Sequence, residues 1–165
     1  MFVTFSPKQE AKYGYMCVQL RKMADNMYGA RKALERLANA SFDKSFARCV
    51  YLLTSESLQC ENEIHAQIDS LNCSNFSLPA MTAANEDKKT FLSDSINGLE
   101  ALCKYCEDTY LNWYKQLLLD KHLASSIKGL IQKQSELFMH SITQLRLFLD
   151  VKTFSFKNLG SHFPN

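Results

Sequence analysis

The chain has 165 residues, room for one domain and hardly for two. Hydrophobic residues make up 46% and charged residues 22%, an ordinary globular composition. The net charge of +2 is spread along the chain, with Lys and Arg among Asp and Glu, so no basic stripe suits a phosphate backbone and no nucleic-acid partner is expected.

Apolar runs such as 117–119 are far too short to span a bilayer. The opening MFVTFSPKQEAKYGYMC lacks the apolar core of a secretory leader. A cytoplasmic setting with no membrane partner is therefore expected. There the six cysteines read as reduced thiols and not as a disulfide framework.

Only five Gly and three Pro occur, which argues against many strands and for a few long helices. The first helix opens on Ser6-Pro7-Lys8-Gln9, with a hydroxyl cap, proline in the first turn and Gln at the capping-box position. Tyr13, Met16, Leu20, Met23, Met27, Ala30, Leu34 and Leu37 then recur at spacings of three and four, a heptad seam. Residues 39–41 break it, and Ser41 is the expected cap of a second helix. Its seam runs through Phe46, Val50, Leu53, Ser57, Cys60, Ile64 and Leu71, with Gln67 or Ile68 between the last two.

Residues 72–84 form a polar connection containing proline. A third helix is expected from about Asn85, with the seam Leu92, Ile96, Leu99, Cys103, Cys106, Tyr110, Trp113 and Leu117. A fourth begins near Ser125 and carries Ile127, Ile131, Gln134, Phe138, Ser141 or Ile142, Leu145 and Leu149. Two helical hairpins joined by one longer loop predict an all-α, antiparallel four-helix bundle over residues 1–150. Residues 151–165 read as a Phe-rich tail outside it.

Cys103 and Cys106 form a Cys-x-x-Cys pair, yet both sit on the seam and well inside the third helix. A redox pair normally uses a helix N-terminus to lower the attacking thiol's pKa. Buried cysteine otherwise behaves as a small apolar residue, so core filler is the expectation. Glu100 and Glu107 share one flank of this helix, and Glu61/His65 and Glu136/His140 have i,i+4 spacing. Solvated or ion-paired flanks are expected for all of them.

Residues 103–118, CKYCEDTYLNWYKQLL, resemble the third helix of a bacterial ferritin-like family of unknown function, which tends to read Cys-Glu-x-Gly-Glu-Asp followed by Tyr and Leu. Glu107, Asp108, Tyr114 and Leu118 match, whereas Lys104 replaces the usual Glu and Cys106 the usual Gly. Residues 131–145 are similar too, with Gln134 and His140 in register, and Tyr28 and Ala33 lead into a second helix of the expected length. The family's Gly-Gly after that helix is replaced by Asn72-Cys73-Ser74. The likeness covers residues 12–150.

The resemblance implies a ferritin-like bundle and raises the prospect of a di-iron or di-manganese site. Such sites take a Glu from two helices and a Glu-x-x-His from the other two. No Glu-x-x-His occurs in the chain, and no carboxylate lies on any seam. A bundle without that centre follows, with no cofactor and no catalytic residue expected, acting as a protein-interaction or small-ligand-binding module. Tyr105, Trp113 and Tyr114, with Phe154, Phe156 and Phe163, are candidates for a homodimer or partner surface. The alternative is a thiolate site for Cu(I) or Zn built from Cys60, Cys103 and Cys106. Glu61, His65, Glu100, Glu107, Glu136 and His140 are weaker candidate ligands.

Overall fold

The computed structural model describes residues 6–75 and 96–160, and among them every regular element is helical. Helix α1 spans Pro7–Ala40 and α2 spans Lys44–Ser70. A short 3-10 turn follows at Cys73–Asn75. The third rod is composite: α3 (Ile96–Cys106), a π-helical segment (Glu107–Asn112) and α4 (Trp113–Leu119). Helix α5 runs Ser125–Gly160.

The start of α1 follows its sequence closely. The Ser6 hydroxyl accepts from the Gln9 amide at 3.4 Å, and the Gln9 side chain accepts from the Ser6 amide at 3.0 Å, completing the capping box. At α2 the cap is Asp43 and not Ser41. Its carboxylate accepts from the Ser45 and Phe46 amides at 2.9 and 3.0 Å, satisfying two orphan donors where a hydroxyl would satisfy one. Ser41 sits within the turn, its hydroxyl accepting from the Asp43 amide at 3.2 Å.

The chain leaves α2 through Asn72, in the left-handed region with φ 49°. That turn aims Cys73 back at α1, where it forms a disulfide with Cys17, the Cα atoms 5.3 Å apart. Arg21 donates to the Cys73 carbonyl at 2.7 Å beside it. The expectation that the thiols are reduced is thus corrected: four of the six cysteines are free. Spacing along a chain cannot reveal which cysteines a turn will bring together.

The seams of α1, α2 and α5 are buried nearly as expected, with Tyr13, Leu71 and both candidates for the α2 position between Ile64 and Leu71, Gln67 and Ile68, half-exposed. In the third rod Leu99, Cys103, Cys106, Tyr110 and Leu117 are buried as expected, but Trp113 is displaced from the seam. The Trp113 amide bonds to the Asp108 carbonyl, five residues back, so the π segment holds one residue more than an α-helix would. Tyr114 takes the core position expected for Trp113, which is half-buried. The expected start near Asn85 and the seam residue Leu92 lie outside the described residues.

Residues 151–160, expected as a tail outside the bundle, continue α5 as helix. Lys152 there pairs with Asp43 at the α1–α2 turn. Among the described residues, no helix is long and apolar enough to cross a membrane.

Candidate functional site

Four long rods with seams of Leu, Met and Ile would make a featureless core. Here four buried polar side chains interrupt it as two hydrogen-bonded pairs on successive turns. Tyr110 reaches across from the π segment to the Ser57 hydroxyl of α2, 3.1 Å away. One turn on, the Tyr114 hydroxyl donates to Gln134 Oε1 of α5 at 2.8 Å and lies 3.6 Å from Met27 Sδ. Gln134 Nε2 in turn donates to the Cys60 carbonyl at 3.2 Å and to Glu63 at 3.1 Å. Phe138 holds both phenols, stacked on Tyr110 with centroids 4.2 Å apart and edge-on to Tyr114 at 6.0 Å.

This network is complete. Among the described residues no buried side-chain nitrogen or oxygen lacks a hydrogen-bond partner. Burial raises both phenol pKa values well above the usual value. At Glu63 burial pushes the carboxyl up, but hydrogen bonds from Gln134 and Lys133 outweigh it and the net shift is downward. Lys133 closes the outer edge of the network with an ion pair to Glu63 at 3.0 Å.

Of the free thiols, Cys60, Cys103 and Cys106 are buried and Cys49 is half-buried. Burial, aided by Glu63 and Glu56, pushes Cys60 up to about 12. Burial raises Cys103 and, more strongly, Cys106. Such thiols are neutral near pH 7 and poor nucleophiles. Cys103 adds to the rise at Cys106, whereas the charges that bear on Cys60 are those of Glu63, Glu56 and Lys133. Among the described residues no three His, Cys, Asp or Glu side chains come close enough to hold a metal ion, so Cys60, Cys103 and Cys106 are not gathered into one site.

The weaker candidates are also dispersed. Glu61 is buried and pairs with Arg31 at 2.9 Å across the α1–α2 interface, not with His65, which is exposed. Arg31 also bonds Glu35 at 2.8 Å, and the Glu61 contact leads the causes that raise its pKa. Glu107 pairs with Arg146 of α5. Glu136 accepts from Gln132 at 2.9 Å while His140 and Glu100 are exposed. Tyr114, a candidate for a partner surface, is fully enclosed. Phe163 lies outside the described residues.

Arg31 and Glu63 escaped the sequence reading. Both are charged residues beside a seam, and nothing in spacing separates a buried flank from a solvated one.

A groove of about 420 Å3 runs between the π segment with α4 on one side and α5 on the other. Leu111, Leu118 and Met139 supply its apolar lining, with Glu107 and Lys115 from the first side and Gln132 and Glu136 from the second. The π turn supplies Leu111 and its neighbours Glu107 and Asn112 to one wall. A smaller cleft of about 190 Å3 opens beside Cys60, Glu63, Lys133 and Gln134, at the edge of the polar network.

Comparison of the chain with protein-family models, with curated proteins and with solved structures finds no match in any of the three.

Proposed function

We propose that the chain is a non-catalytic, ferritin-like helical bundle without a di-metal centre, and that it binds an apolar segment of a protein partner in the groove beside the π turn. The groove carries this reading. Its volume lies within the roughly 300–1,000 Å3 range of ligand sites. It combines an apolar lining that includes an exposed methionine with charged residues at its edges, features that suit an amphipathic helix laid lengthwise.

An antiparallel, two-hairpin topology is supported by the order of the cross-helix pairs. Along α1 the partners Arg21, Arg31 and Asn39 meet Cys73, Glu61 and Tyr51, so one helix climbs as the other descends. Glu107–Arg146 and Tyr114–Gln134 do the same for the third rod and α5. A non-catalytic role is supported by the closed polar network and by carboxylates engaged with Arg31, Arg146 and Gln132. The Cys17–Cys73 disulfide favours an oxidising compartment over the cytoplasm expected from the sequence.

The test is affinity purification with the wild-type chain and with Met139→Glu, after both are shown to melt alike. A partner retained by the wild type and lost from the variant is expected. The same partners on both would retire the groove as the binding face.

A further inference from the structure

The end of the bundle at the α1–α2 turn lies away from the groove and presents bare aromatic rings. Phe42, in that turn, is 100% exposed. The Asp43–Lys152 ion pair ties the turn to α5 just before α5 runs on past it. The protruding turns carry Phe154 and Phe156, 67% and 61% exposed, and begin at exposed Val151. Large apolar side chains exposed around one end of the molecule are costly to hydrate and suit contact with another phase or molecule.

The charges around these rings select the occupant. Asp43 and Lys152 neutralise one another, and hydrogen bonding from Lys152 holds the Asp43 carboxyl below its ordinary pKa. Among the described residues, Arg36, Lys44, Arg48 and Lys157 are exposed at or near this end, against Asp150 and Glu100. A second copy would bring two patches of the same net positive charge together, which repels. A bilayer with anionic headgroups has the complementary charge and an apolar layer a few ångströms below it. Separate rings on a turn and a helix end can each enter it without a flat interface.

We propose that the tip bearing Phe42, Phe154 and Phe156, with Lys44 and Lys157, docks onto an anionic lipid bilayer. The rings sit in the headgroup–acyl boundary, the cations lie at the phosphates, and no helix crosses. This inference uses residues apart from the groove and goes beyond the proposed partner binding.

The test is co-sedimentation of the full chain with vesicles. Binding to phosphatidylglycerol–phosphatidylcholine vesicles is expected to exceed binding to phosphatidylcholine alone by about tenfold, as expected of one to two cations at a charged surface, and to weaken with added salt. Substituting the exposed rings, Phe42→Ser, Phe154→Ser and Phe156→Ser together, should abolish it with an unchanged melting temperature. Lys44→Glu with Lys157→Glu should remove the preference for anionic lipid. Equal sedimentation of wild type and triple variant would overturn the proposal, as would no sedimentation at all. A wild-type dimer in solution that the triple variant converts to monomer would overturn it in favour of a second copy.

Discussion

The Tyr114 hydroxyl donates to Gln134 Oε1 at 2.8 Å, and that bond decides which way round the buried amide sits. With its oxygen taken by a donor, Gln134 can only present Nε2 to the Cys60 carbonyl and to Glu63. The third rod, α2 and α5 are thereby held in one axial register by a single side chain.

Removing the phenol hydroxyl should therefore cost more than one hydrogen bond. Tyr114→Phe leaves Gln134 Oε1 buried without a donor, and a loss of about 1–3 kcal/mol is expected. Combining it with Gln134→Met removes the orphan, so the double variant should be less destabilised than the sum of the singles. Urea unfolding of the four proteins of the cycle measures the coupling. Strict additivity would show that the two residues do not act together.

Arg31→Met strands the Glu61 carboxylate at a buried interface. A loss of about 3–5 kcal/mol is expected, as for other broken buried pairs. Replacing both partners, Arg31→Met with Glu61→Leu, should recover much of it because neither charge is then left buried. Chemical denaturation reports both values.

The disulfide makes a simple chemical forecast. Denatured, unreduced protein should show four titratable thiols per chain, and reduced protein six, matching the four free cysteines and the bonded pair. Bridging residues 56 apart restricts the unfolded chain, and reduction should lower stability by about 4 kcal/mol on the chain-entropy estimate. Six thiols before reduction would mean that the bond does not form in solution.

Alkaline pH should loosen the core. The Cys60 thiol is raised from 9.0 to about 12 by burial, so the folded state keeps its proton where the unfolded chain has lost it. The contribution is intact below pH 9 and drains away as pH rises toward 12, by about 1.4 kcal/mol per pH unit for the thiol. Cys60→Ala should flatten the fall in unfolding free energy between about pH 9 and about pH 11. An unchanged slope would show that Cys60 ionises as readily folded as unfolded.

Much of this architecture was legible in the chain. Heptad seams persist because a helix facing a core must repeat its apolar residues every three or four positions, and Leu20, Leu53 or Ile131 could hardly have been placed elsewhere. The capping box at Ser6 is equally local. The cap at Asp43 was missed because Ser41 and Asp43 are both good capping residues, and only the backbone decides which carboxyl or hydroxyl faces the free amides. Tyr114 was misread because heptad counting assumes a uniform helix. The disulfide, the Arg31–Glu61 pair and the groove depend on residues from different elements, and their meeting is a property of the packed bundle.

The π segment also bears on length. One extra residue in an ordinary helix swings everything after it by roughly 100° and turns the apolar face outward. Here the wide turn swallows that residue, and the rods on either side of Glu107–Asn112 keep their faces inward. The segment is an insertion held in place, and shortening it by one should be tolerated. Deleting exposed Asn112 would leave a plain α-helix with Tyr114 still on the seam, three positions after Tyr110 in place of four. What such a deletion would change is the wall built by Leu111 and its neighbours, so the extra residue bears on the shape of the groove and hardly on the fold.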